Sequence, residues 1–235
     1  MPPDAPQRGG LEALRQLSEG LLRSAVRTGV RGNLLELHHP GAPLFDPLLL
    51  HSATHGYGVS ISLRQDDRSG NGNGNGKGNG NGHGQHVRCR SAQLPFQDGV
   101  FNMVVLHHVI GHGDEPELAE AVRVLARNGV LLLLGLNRMG WRYRAQDGSP
   151  RLPGLAPLKV KSRLDAIDMV MQGFAGAGLA GRQRPAFLND GLLGLATPFA
   201  DLVLLQAHHR GSPGVTPLRF RKPRSAVVQS APIRG

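Results

Sequence analysis

Apolar residues at Leu11, Leu14, Leu17, Leu21, Leu22 and Val26 are spaced three and four apart, which places them on one face of a helix. The pattern then changes to short apolar runs. Leu34 to Leu37 is closed by Pro40, Gly41 and Pro43, as expected of a strand entering a loop. Gly58 to Leu63 alternates apolar and polar residues at period two and predicts a second strand, and the intervening Phe45 to His55 has room for a short helix. Val87 to Ser91 can form a third strand. Phe101 to His107, introduced by the turn Gln97-Asp98-Gly99, is dense in apolar and β-branched residues and predicts a buried strand. Glu115 to Ala126 carries Leu118, Ala121, Val122 and Leu125 at helical spacing, with acidic residues in its first turn and Asn128-Gly129 beyond its end. Val130 to Leu136 is continuously apolar, the signature of a strand covered on both faces. Further on, Leu164 to Ala177 reads as a helix with Ile167, Val170, Met171 and Phe174 on one side, and Phe199 to Ala207 as a late strand.

Strands alternating with helices predict an α/β domain over residues 33–208, preceded by the amphipathic helix region 1–32 and followed by the tail 209–235. Two stretches interrupt it. Residues 70–84 are almost entirely glycine and asparagine, with no apolar surface to bury, and read as a disordered surface loop. Trp141 to Lys161 is rich in Pro and Gly and reads as a loop of the kind that carries specificity.

Composition narrows the picture. Aromatics make up only 4% of the chain, so Leu, Val and Ala supply the core, as suits buried parallel strands under helices. The single cysteine, Cys89, excludes an internal disulfide. Met1 to Gly10 lacks the apolar run of a signal peptide, and Val130 to Leu136 is too short to span a bilayer; a cytoplasmic protein is expected. The net charge of +10 is scattered except at Arg219, Arg221, Lys222 and Arg224, and no aromatics are interleaved for base stacking. Nucleic acid is therefore a secondary expectation, confined to this basic tail, and the oligomeric state is left open.

The run from Gln93 to His112, Gln-Leu-Pro-Phe-Gln-Asp-Gly-Val-Phe-Asn-Met-Val-Val-Leu-His-His-Val-Ile-Gly-His, resembles the central motif of the type 11 group of class I S-adenosylmethionine (SAM)-dependent methyltransferases. That motif has a Leu-Pro-Phe turn, a short acidic or glycine turn, a Phe-Asp-hydrophobic strand and a His-containing loop. Arg123-Val124-Leu125-Ala126-Arg127-Asn128-Gly129-Val130 stands where the family has Arg-Val-Leu followed by a Pro-Gly-Gly-like turn. The resemblance extends over about residues 34 to 138 and is strong from Gln93 onward. It implies a doubly wound, Rossmann-like fold, with a mostly parallel sheet between two layers of helices and SAM bound beyond the carboxyl ends of the strands.

Carried over position by position, the resemblance puts Glu36, Gly41, Ser60, Arg90, Ser91 and His107 around the cofactor. Several of these depart from the family pattern. The loop after the first strand reads Leu37-His38-His39-Pro40-Gly41-Ala42-Pro43 where the family has Gly-x-Gly-x-Gly, and proline both fixes φ and removes a donor. Ser60 and Ser62 stand near the place of the ribose-binding acid, and Arg90 stands where an acid meets the adenine amine, although a guanidinium cannot accept a hydrogen bond. Asn102 replaces the Asp after the strand's Phe. The resemblance therefore implies methyl transfer to a small-molecule or lipid-like acceptor with a degenerate cofactor site. The alternative is a catalytically inactive binding or regulatory protein on the same fold.

Methyl transfer needs little more than an in-line nucleophile, so only His108 stands as a candidate base. His38, His39, His107, His108 and His112 do not have the spacing or the accompanying carboxylates and cysteines of a zinc site, and no metal is expected. Asn137, Arg138, Trp141 and Tyr143, which follow the last central strand, would face the acceptor; the alternative for Trp141 and Tyr143 is that they pack the following loop.

Overall fold

The computed structural model describes residues 13–22, 32–39, 58–63, 85–89, 93–144, 152–178, 186–187 and 199–210. The expected helix at 45–55, the Gly/Asn tract and the basic tail lie outside them. Within them, nine strands form one mixed sheet: β1 (Leu34–His38), β2 (Gly58–Leu63), β3 (Gln85–Cys89), β4 (Phe101–His107), β5 (Leu125–Asn137), β6 (Gly154–Leu155), β7 (Met169–Ala177), β8 (Ala186–Phe187) and β9 (Leu202–His209). Their order is β3-β2-β1-β4-β5-β9-β7-β8, with β6 paired to the end of β5. β1 to β5 run parallel, and β9 runs antiparallel to both β5 and β7.

All five residues of β1 are buried, because helices cover both faces of the sheet. On one face, Leu14, Leu17, Leu21 and Leu22 of α1 (residues 13–22) pack against Leu34, Met103, Val105 and Leu132. On the other, Leu118 and Ala121 of α2 (Pro116–Val124) and Val160 and Leu164 of α4 (Pro157–Ala166) pack against Leu35, Leu37, Val104 and Leu131. The short α3 (Trp141–Arg144) follows β5. The expected doubly wound α/β architecture is present. No helix among the described residues is long and apolar enough to cross a membrane.

Several boundaries depart from those the sequence predicts, among them β9, which runs from Leu202 to His209 rather than from Phe199 to Ala207. β3 starts two residues earlier than expected, at Gln85. β5 starts at Leu125 rather than Val130, because Leu125 pairs with Phe101 and is buried there; α2 accordingly ends at Val124, ahead of Asn128-Gly129. The expected loop at 141–161 holds α3, β6 and the first half of α4. The helix expected over Leu164 to Ala177 is a correction of element type: the helix is α4, with Pro157 in its first turn, and Met169–Ala177 is strand β7. Asp168, at φ 60, breaks the chain between them. Ile167, Val170, Met171 and Phe174 satisfy a helical period in one dimension, but β9 offers Met169 to Ala177 a continuous antiparallel partner, with a bulge between Met171 and Gly173.

Candidate functional site

Parallel strands β1 and β4 are neighbours, yet the chain leaves β1 for β2 on one side and β4 for β5 on the other. At such a reversal the connections after the two strands diverge, opening a crevice beyond their carboxyl ends. The register places His38 opposite His107 at this edge, and Glu36 opposite Val105 one pleat inside it. Period-two alternation turns Glu36, His38 and His107 to the α1 face.

There the side chains converge. Glu36 Oε1 lies 3.5 Å from His107 Nδ1, and the His107 and His108 rings are 4.8 Å apart at a tilt of 45°. The backbone N–H of His39 donates to the His107 carbonyl at 3.0 Å, locking the two strand ends together. Glu36, His38, His107 and His108 are at most 5% exposed. Burial, reinforced by the neighbouring His38 imidazole, holds the His107 ring well below its ordinary pKa despite the Glu36 carboxylate. Burial, with His107 and His39 nearby, does the same to His108, and burial alone lowers His39. These imidazoles are neutral at neutral pH. His108 has a left-handed backbone, at φ 55, and its N–H donates to the Leu134 carbonyl at 2.7 Å. Neither of its buried ring nitrogens has a hydrogen-bond partner among the described residues.

The loop after β4 is organised by its own carboxylate. Glu115 accepts the backbone N–H groups of Gly111, His112 and Gly113 at 2.8, 2.9 and 2.7 Å. Burial pushes its carboxyl pKa up, but these bonds outweigh burial and leave it lowered. The donors of this loop are thus already occupied. The Leu-Pro-Phe and Arg-Val-Leu segments prove to be partners: Arg123 donates to the carbonyls of Leu94 and Phe96 at 3.0 and 2.9 Å, and to Asp98 and Glu120 at 2.6 and 2.8 Å. Together they brace the turn that leads into β4.

Beyond β5, Asn137 is fully buried; its amide donates to the Ala200 carbonyl at 2.8 Å and accepts from Met139 N–H at 3.1 Å. It brackets β5 to the segment before β9. Tyr143 packs on the core with its ring against Gly154, whereas Trp141 is 77% exposed. Tyr143 thus packs the following loop, and Trp141 faces outward. The Arg138 guanidinium meets the His112 ring on the exposed rim.

Of the predicted site residues, Glu36, His107 and His108 are brought together. The Ser60 backbone pairs with Glu36 one strand away, and Gly41, Arg90 and Ser91 lie outside the described residues. Asn102 needs correction as a lost cofactor acceptor. It sits at the amino end of β4, opposite the crevice, and its Oδ1 accepts the Asn33 N–H at 3.1 Å. His38 is the residue the sequence reading underused: Glu36-Leu37-His38 within a strand puts a carboxylate and an imidazole on one face. No group of three or more His, Cys, Asp or Glu side chains among the described residues has a metal-holding arrangement.

Residues 44–133 match the family model described as a methyltransferase domain. Solved structures with the same fold include a SAM-dependent methyltransferase from Thermotoga maritima, 14% identical, with a TM-score of 0.53 over 88% of this chain and 96% of that one. A SAM-dependent methyltransferase from Aquifex aeolicus is 13% identical, with a TM-score of 0.52 over 88% and 98% of the two chains. A geranyl diphosphate methyltransferase in complex with SAM is also 13% identical, with a TM-score of 0.52 over 88% and 90%. No curated protein matches the chain. The match to the methyltransferase-domain model thus lies in residues 44–133, and the α/β fold that surrounds them is the one these SAM-dependent methyltransferases share.

Proposed function

We propose that the chain is a SAM-dependent methyltransferase with a weakened cofactor site, acting on a small-molecule or lipid-like acceptor. The observation that carries this reading is His108: a buried imidazole, strained at φ 55 and lacking a described partner, at the point where the sheet order reverses. Backbone strain and an unsatisfied buried polar group both cost stability, and they persist where a ligand makes use of them. The fit to SAM is partial. The neutral imidazoles of His107 and His108 do not repel a sulfonium as charged ones would, and His108 has hydrogen-bonding capacity for a polar ligand. Against this, Glu36 is directed at His107, and the donors of the loop after β4 are held by Glu115.

SAM would supply a methyl group already activated on sulfur, so the chain's part is to orient and desolvate the acceptor. His108, as a neutral imidazole, would receive a proton from it.

Isothermal titration with SAM and S-adenosylhomocysteine tests the reading. Weak binding is expected, tightened by Arg90→Asp, which restores an acceptor where the family has one, and weakened by His108→Asn. The substitution of His38-His39-Pro40 for the family's glycines favours a second reading, an inactive protein on the same fold. No heat from either ligand at millimolar concentration would decide for it.

A further inference from the structure

Of the five large apolar side chains that the described residues expose, Val100 precedes β4 and Leu158 stands in the first turn of α4, whereas Met139 (59% exposed), Trp141 (77%) and Phe199 (64%) belong together. The three lie on adjoining segments. Asn137 donates to the Ala200 carbonyl, Arg142 N–H donates to Asp201 Oδ1 at 3.1 Å, and Gly140 is so close to Asp201 that a Cβ would come within 2.8 Å of its Cα. Residues 137–142 therefore run against 200–201, so Met139, Trp141 and Phe199 stand on two adjoining segments, the rim beyond the carboxyl end of β5. Burying these side chains in the domain would remove them from water, yet the fold holds them out, on short segments pinned by Asn137 and Asp201.

Cations flank the rim. Arg138 and Arg144 are exposed on either side of Trp141, whereas the acid at its base, Asp201, is buried and bonded to Arg142. An exposed indole with an exposed arginine three residues to either side in the chain, and an exposed thioether and phenyl ring on the same two segments, has the composition of an interfacial anchor. Indoles settle at the headgroup level, apolar tips enter the acyl boundary, and arginines meet anionic headgroups. The net charge of +10 draws the whole chain toward such a surface. We propose that the rim of Met139, Trp141 and Phe199, with Arg138 and Arg144, docks on the surface of an anionic lipid bilayer. The docking needs no cofactor and no turnover, so it stands or falls separately from methyl transfer.

Trp141 is the chain's single tryptophan and reports on the rim directly. Its fluorescence is followed as the full chain is titrated with phosphatidylcholine vesicles, with or without 30% phosphatidylglycerol, about a third of the lipid as in an anionic leaflet. A blue shift with anionic vesicles alone, and quenching when the acyl chains are brominated, are expected. Arg138→Gln and Arg144→Gln should each weaken partitioning about fivefold, and Met139→Glu with Phe199→Glu should weaken it by more than about tenfold. Circular dichroism confirms that each variant is folded, and glycerol phosphate in excess separates a bilayer from a free anionic headgroup by failing to compete. The proposal is overturned if anionic vesicles leave the emission unchanged or glycerol phosphate displaces them. It is equally overturned if a shift grows with protein concentration without lipid, which would assign the rim to a second copy. Loss of vesicle binding on neutralising Arg219, Arg221, Lys222 and Arg224, with the rim variants unaffected, would hand the binding to the tail.

Discussion

The buried imidazoles at the β1 and β4 ends make the stability of this fold acid-sensitive in a defined window. In an unfolded chain His107 and His108 titrate near an imidazole's ordinary value of about 6.5. In the fold, burial, reinforced by the neighbouring imidazoles, holds both well below that value. Below pH 6.5 the unfolded chain therefore binds protons that the native chain refuses. Their contribution is fully present above the unfolded value and is lost as pH falls from there toward the folded values. Each such group costs at most about 1.4 kcal/mol per pH unit, so the pair removes at most roughly 3 kcal/mol between pH 7.5 and 5.5. Against a total stability of about 5–15 kcal/mol this is a large effect. Glu115 and Glu120, whose pKa values are lowered in the fold, do not contribute in this window. Their stabilisation is complete above the ordinary carboxyl value of about 4.3 and declines only below it.

Urea unfolding followed by circular dichroism at pH 7.5, 6.5 and 5.5 measures the loss. His107→Gln and His108→Asn serve as non-titrating variants, asparagine being chosen because it tolerates the left-handed backbone at position 108. Each variant should recover up to about 1 kcal/mol of the acid-induced loss, whatever its effect at pH 7.5. His39 and His208, whose pKa values are also lowered, act in the same direction in parent and variants and cancel in the comparison. If both variants lose as much stability as the parent, the imidazoles are not excluded from protonation. For His107 that result would mean that Glu36, 3.5 Å away, holds a proton on the ring and outweighs burial.

Leu21 on α1 is completely buried against the sheet face that carries Glu36 and His107, so Leu21→Ala should cost about 2–5 kcal/mol in urea unfolding. Gly32, at φ 119, has the Asn102 carboxamide where a Cβ would stand. Gly32→Ala should lower the thermal midpoint, with a cost of about 1–3 kcal/mol, and an unchanged midpoint would rule out that packing. Glu115→Ala leaves three backbone donors of the loop after β4 unpaired. About 1–2 kcal/mol of lost stability is expected, with faster amide exchange at Gly111 to Gly113; unchanged exchange would count against the loop being carboxylate-bound.

The sequence by itself determined the elements whose burial is expressed locally. α1 has its three-and-four spacing, and β1 and β4 are short apolar runs with turn residues at their ends; these appear with the expected character. The Leu-Pro-Phe and Arg-Val-Leu segments were legible as motifs, but their common purpose was not. Arg123 reaches Leu94 and Phe96 only once β4 and α2 have brought positions 27 and 29 residues apart within hydrogen-bonding distance. Tertiary structure alone decided whether Met169 to Ala177 would be helix or strand, since the same apolar positions serve either period and the choice went to the conformation with a partner, β9. It likewise decided what Glu36 faces. Residue identity fixed a carboxylate on β1, but the register of β1 against β4 set His107 beside it and buried both. Whether an ionisable side chain is a surface charge or a neutral group in the core depends on neighbours from distant parts of the chain, which no local pattern encodes.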